Sequence, residues 1–140
     1  MPRSGFYQVE ATDSTHNDVA YFTTTGSDAF VSVNSSTAAD NYNYIEPLTG
    51  GTFFVSASGY SLAEGTTMHS SDEMFVYDTT GGSTFYIDTT AAYMYYGGGT
   101  SYEVVGYGYS NFIGDNESAT ADSYECTSGS YTLYGDWVAL

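Results

Sequence analysis

Two stretches of the chain gather oxygen-bearing side chains closely enough to hold a cation. Asp13, Asn17 and Asp18 form one; Asp115, Asn116, Glu117 and Asp122 form the other. Hard cations take six to eight oxygen ligands, which carboxylates and amides clustered in loops supply. Calcium is therefore the cofactor these stretches imply, with a solvated acidic loop as the plainer alternative, since neither has EF-hand spacing. Asp72-Glu73 and Asp115/Glu117 are nominal acid–base pairs for glycoside hydrolysis. With seventeen Asp and Glu in 140 residues, some neighbours arise by chance.

Other catalytic patterns fall short. His16 and His69 each stand a few residues before a strand-like run, but neither a Cys partner nor His-x-x-x-His spacing supports zinc, so surface-loop histidines are expected. Gly59-Tyr60-Ser61-Leu62-Ala63 departs from the nucleophile elbow at its last position, and Gly97-Gly98-Gly99-Thr100 has no lysine to complete a phosphate cradle. No enzymatic activity is expected. Cys126 is the single cysteine and is read as a small buried side chain, without an internal disulfide. Asn34-Ser35-Ser36 and Asn116-Glu117-Ser118 fit the N-glycosylation acceptor pattern, which matters only for an exported chain in a glycosylating cell.

Tyrosine is the most informative residue type. The chain has 16 tyrosines. Tyr93, Tyr95 and Tyr96 with Tyr102, Tyr107 and Tyr109 are too many for one small core. A large apolar body with a polar tip suits interfaces as well as interiors, so these six are expected to form ladders on stacked strands and to contribute an interface.

Charge narrows the partners. One basic residue, Arg3, faces seventeen acidic ones, for a formal net charge of −16. Nucleic acids need a Lys/Arg surface, and anionic membranes repel such a chain; no apolar run approaches the length of a membrane span. The opening Met1 to Gln8 lacks the apolar centre of a signal peptide, so an exported protein is expected to be a mature form, a fragment, or one with a signal of another kind.

The elements that must position these residues are strands. Aromatics make up 18% of the chain, too many for a disordered acidic segment. Thr, Tyr, Phe and Val favour pleated surfaces, Gly, Ser, Asp and Asn supply turns, and strong helix formers are scarce. The fold class is all-β. Strand-like runs include Val19 to Phe22, Ala29 to Val33, Met74 to Tyr77, Thr84 to Ile87 and Ala91 to Tyr96, whereas Pro47 argues for a loop in Thr37 to Leu48.

The runs recur. Aligned on glycine, Thr24-Thr25-Gly26 before Phe30 matches Thr79-Thr80-Gly81 before Phe85, and Thr127-Ser128-Gly129 before Leu133 follows. An acidic or amide residue precedes each copy: Asn17-Asp18, Asp72-Glu73 and Asp122. The spacing predicts one β-repeat domain over 1–140, with units near 5–50, 51–98 and 99–140. Stacked strands in a β-solenoid are the architecture expected, with a β-sandwich as the alternative.

The stretch from Tyr77-Asp78-Thr79-Thr80-Gly81 to Phe85-Tyr86, with Ala92-Tyr93-Met94-Tyr95-Tyr96-Gly97, resembles the repeats of very long bacterial surface proteins. Those repeats run Tyr-Asp-Ser-x-Gly-Asp-Asp-Thr-Phe-Tyr, followed by Ala-Tyr-Met-Tyr-Gly. More loosely, the pattern is similar to the calcium-binding repeats of RTX proteins. The resemblance implies a stacked β-architecture at the cell surface and adds Asp28 to the calcium candidates, because only Gly26-Ser27-Asp28 keeps an aspartate where those repeats carry Gly-Asp-Asp.

The expectation that combines these readings is a structural subunit of an extracellular fibre, sheath or surface layer, partnered with itself through β-edges and Tyr-rich faces. The alternative is a calcium-stabilised adhesion or carbohydrate-binding module in which tyrosines stack on glycans.

Overall fold

The computed structural model describes residues 8–12, 19–24, 27–34, 42–48, 54–58, 60–67, 69–97 and 102–140. These form fourteen short strands joined by small and polar residues, and none of the described residues is helical. Numbered in chain order, β1 (Gln8–Thr12), β3 (Asp28–Asn34), β4 (Tyr42–Pro47), β5 (Phe54–Ser58), β7 (Glu73–Asp78), β11 (Asn111–Asn116) and β13 (Tyr131–Gly135) make sheet A. Its order is β1-β5-β4-β3-β7-β11-β13. Sheet B contains β2 (Val19–Thr24), β6 (Leu62–Thr67), β8 (Thr84–Ile87), β9 (Ala91–Tyr96), β10 (Tyr102–Tyr107), β12 (Asp122–Cys126) and β14 (Trp137–Ala139). Its order is β14-β12-β8-β9-β10-β6-β2. The chain is all-β, as its composition requires.

Both sheets are mixed in the same way. In sheet A every neighbouring pair is parallel except those made by β4, which is antiparallel to β3 and β5. In sheet B the exception is β9, antiparallel to β8 and β10. Apart from β4 and β9, all strands of a sheet share one direction. The two antiparallel meanders, β3–β4–β5 and β8–β9–β10, stand five strands apart in the chain and in opposite sheets.

Parallel neighbours cannot be joined by hairpins, so the chain must leave one sheet for the other between them. The Thr/Ser-Gly segments are among the places where it does so, as are residues 117–121 between β11 and β12. Residues 79–83 carry β7 into β8, residues 127–130 carry β12 into β13, and a short link takes β2 into β3. Gly81 and Gly129 sit at these corners with φ of 74° and 108°, a region that a side chain disfavours.

Period-two alternation assigns the faces. In β7, Met74, Val76 and Asp78 point inward while Glu73, Phe75 and Tyr77 are half-buried on the other side. In β9, Ala92, Met94 and Tyr96 are buried between Tyr93 and Tyr95. One apolar cluster draws on both sheets, with Phe30, Met74, Val76 and Phe112 from sheet A and Phe22, Phe85, Met94 and Val104 from sheet B. The Phe22 and Phe30 rings lie 5.2 Å apart, and the Tyr96 hydroxyl reaches Ser32 Oγ at 3.1 Å. Gly65 and Gly106 face each other across β6 and β10. A Cβ on Gly65 would enter the Phe30 ring, and one on Gly106 would meet Met74 Sδ, so these glycines set how closely sheet A approaches.

Pro47 is a correction to the loop expected around it. Tyr42–Pro47 is a strand, with the proline at its last position opposite Asp28. A proline at a strand end removes no interior ladder donor, so the strand tolerates it.

Candidate functional site

Two of the aspartates singled out by their chemistry are buried at strand starts. Asp72 precedes β7; its Oδ1 accepts the Asp28 N–H at 2.9 Å and its Oδ2 accepts the Thr67 hydroxyl at 2.5 Å. Asp122 opens β12, and its Oδ1 accepts the Ser83 N–H at 2.9 Å. In each case the donor lies at or just before the start of the parallel neighbour, β3 for Asp72 and β8 for Asp122. The aspartates thus satisfy backbone donors that the ladder would leave unpaired inside the protein. Beside Asp122 lies buried Asp78, which accepts the Thr80 N–H at 2.8 Å and the Ser83 hydroxyl, while Ser83 Oγ accepts the Gly97 N–H at 2.8 Å. Burial, reinforced by the Asp78 carboxylate and only partly offset by the Ser83 and Gly82 N–H groups, pushes the Asp122 carboxyl up to about 7.

The described calcium candidates face different partners. Asp13, Asn17 and Asp18 lie outside the described residues, as does His16. Asp28 is buried, with its N–H on Asp72. Asn116 points inward, donating to the Thr120 and Asp136 carbonyls at 2.9 Å each and accepting the Ser118 N–H at 2.8 Å. Asp115 is half-buried between Tyr77 and Tyr134 on the neighbouring strands, and Glu117 is exposed. Among the described residues, no three His, Cys, Asp or Glu side chains are grouped to hold a metal.

His69 gathers a serine and an aspartate, yet on one nitrogen. Its Nδ1 is 2.8 Å from Ser71 Oγ and 3.6 Å from Asp72 Oδ1. A hydrolytic relay needs the base to meet nucleophile and acid through different ring nitrogens, so this cluster stabilises a turn. Cys126 is half-buried against the core, with its thiol on the Ser128 carbonyl at 3.4 Å.

The tyrosines divide between interior and surface. Tyr96 and Tyr109 are core residues, burial pushes the Tyr109 hydroxyl above its ordinary range, and Tyr102 opens β10. Tyr93, Tyr95 and Tyr107 lie on the outer face of sheet B. There the register sets Tyr21, Glu64, Val105, Tyr93, Tyr86 and Glu125 in one row across the strands. In the next row Glu103, Tyr95 and Thr84 are neighbours.

Tyr86, Tyr93, Tyr95 and Thr84 line an open cleft of about 530 Å³. A second hollow of about 150 Å³ lies across Tyr86 and Tyr93, edged by Asp88, Glu125 and Thr127. The Tyr86 and Tyr95 rings meet edge-on at 5.9 Å and 81°, and Tyr93 and Tyr107 at 6.3 Å and 88°. Tyr95 is hydrogen-bonded to the Glu103 carboxylate and Tyr107 to Tyr93; with burial, these contacts hold both phenols above the ordinary tyrosine range. Asp88 accepts from the Thr90 and Ala91 N–H groups and the Thr90 hydroxyl, which hold it below the usual carboxylate range.

Thr84, Tyr86, Glu64 and Glu103 were not among the residues expected from sequence to act together. The available signal was parity: with Phe85 and Ile87 facing the core, Thr84 and Tyr86 must face out. Set against protein-family models, curated proteins and solved structures, the chain matches none.

Proposed function

We propose that the chain is a structural subunit that assembles end to end into an extracellular fibre, sheath or surface layer. One observation carries this reading: the two outermost strands of each sheet run in the same direction. Sheet A ends in β1 and β13, and sheet B in β2 and β14. Each end strand pairs in parallel with its inner neighbour. A second copy displaced along the stack can therefore set its β1 on β13 and its β2 on β14 with the pairing already used inside. Edge strands template such additions, and a head-to-tail contact that does not close gives a filament.

Two further features support it. Tyr131, Tyr134, Val138 and Leu140, on or beside the last two strands, are 40, 56, 54 and 69% exposed. The net charge of −16 opposes non-specific aggregation. We read the strand order as tandem β-solenoid units. The segment β11–β14 alternates between sheets with two strands per turn, and the meanders β3–β4–β5 and β8–β9–β10 enlarge the turns before it. The resemblance to bacterial surface repeats points the same way.

Negative-stain micrographs of the purified chain, in millimolar calcium and in a chelator, test the proposal. Filaments are expected, and Tyr134→Lys with Val138→Lys should abolish them by placing a charge on each terminal strand. Loss of filaments in chelator would assign a bridging role to calcium. Discrete monomers in both solutions would overturn the reading.

A further inference from the structure

The outer face of sheet B offers a site of different chemistry, away from the edge strands and independent of end-to-end assembly. We propose that the cleft walled by Tyr86, Tyr93 and Tyr95 binds an alkylated ammonium cation, such as a trimethylammonium group. Three observations carry the assignment.

The first is the arrangement of the rings. Tyr86 and Tyr95 stand at 81°, and beside the open cleft Tyr93 and Tyr107 at 88°, so the tyrosines present differently oriented rings rather than one flat platform. A pyranose stacks best on a flat ring surface, whereas a compact cation gains from several ring faces and hydroxyl-bearing edges set around it. The volume of about 530 Å³ is ample for a trimethylammonium group and its substituent.

The second is charge. Glu103 is tied to the Tyr95 hydroxyl at one side of the tyrosines, and Asp88 and Glu125 edge the hollow on the other side. A cation over the Tyr86–Tyr93 pair is thus flanked by carboxylates in both directions. With no three acidic, His or Cys side chains grouped among the described residues, the face lacks the converging oxygens a hard metal ion needs. Aromatic walls with carboxylates at the rim suit a large, weakly hydrated organic cation instead.

The third is the scarcity of internal competitors. Tyrosine faces on protein surfaces are commonly covered by lysine or arginine from the same chain. This chain has no lysine, and Arg3 is its single arginine.

Choline chloride is the direct probe, followed through its N-methyl protons and the tyrosine ring resonances by NMR. The neutral isostere 3,3-dimethylbutanol, which keeps the shape and removes the charge, is the control. Choline is expected to bind at least roughly tenfold more tightly than the isostere. Tyr95→Leu keeps apolar bulk at a surface position, and Glu103→Gln keeps shape without charge. Each should weaken choline binding several-fold while leaving the circular dichroism spectrum unchanged. Co-sedimentation with phosphatidylcholine vesicles identifies the source of the group. Vesicle binding lost in Tyr95→Leu assigns it to a lipid headgroup, and choline binding without vesicle binding assigns it to a free small molecule. Equal binding of choline and its isostere, no binding of choline, saturation only by a neutral oligosaccharide, or indifference to both substitutions would each overturn the proposal.

Discussion

Replacing Asp122 by asparagine should make the protein more stable at neutral pH, although it removes a side chain that caps a strand. The Asp122 carboxyl has its Oδ1 on the Ser83 N–H, while its Oδ2 is buried without a hydrogen-bond partner among the described residues and Asp78 lies close by. Asparagine keeps the acceptor for Ser83 and turns an N–H toward Asp78. The sign follows from linkage. The folded-state value of about 7 lies above the ordinary 3.8, so the folded protein holds this proton more tightly than the unfolded chain. The stabilisation is fully present below about pH 4, declines as pH rises, and is gone above about pH 7. Three units at about 1.4 kcal/mol each give a loss on the order of 4 kcal/mol, or roughly 14 °C in Tm for a domain of this size.

Urea unfolding of both proteins from about pH 4 to pH 8, followed by Trp137 fluorescence and far-ultraviolet circular dichroism, measures it. Repulsion among seventeen acidic residues also changes in this window, but it is nearly common to both proteins and largely cancels in their difference. The wild-type curve should fall relative to the variant by about 4 kcal/mol between those limits. Parallel curves would refute the reasoning.

Other consequences are as direct. Gly65→Ala drives a methyl into the Phe30 ring and should cost about 1–3 kcal/mol in denaturant unfolding. Asn116→Ala removes two donated hydrogen bonds and one accepted one, and should lower stability by about 3 kcal/mol in the same assay. Burial and the neighbouring Glu46, Tyr77 and Tyr42 push the Tyr44 phenol up to about 12. An ultraviolet titration should therefore lose one late-ionising phenol in Tyr44→Phe, while the buried Tyr109 stays late in both proteins. The stability tied to this proton is present below about pH 10 and lost by about pH 12.

Strand positions were legible because alternation and turn residues are local signals. Thr84–Ile87 and Ala91–Tyr96 match the expected runs at both ends, and β7 and β12 stop just before their Thr/Ser-Gly segments. Which sheet each strand joins was not legible, since a corner and a hairpin draw on the same small residues. Asp72 and Asp122 read as a nominal acid–base partner and a calcium candidate because the donors they satisfy are 44 and 39 residues away in the chain. The tyrosines posed a related difficulty. Tyr95 and Tyr96 are adjacent and chemically identical, yet one faces solvent and the other the core, and only the parity set by Met94 separates them.

The two meanders matter for length as well as for topology. A hairpin inserts two strands and restores the original direction, so removing one would shorten a sheet by roughly 10 Å along the stacking axis and leave the remaining strands parallel. Because sheet A contains one such insertion and sheet B the other, both contain seven strands. Deleting only β4–β5 or only β9–β10 would put the sheets two strands out of step. In the proposed end-to-end assembly such a subunit would bring five strands in one sheet and seven in the other. Matched deletions would give a shorter block with five strands in each sheet.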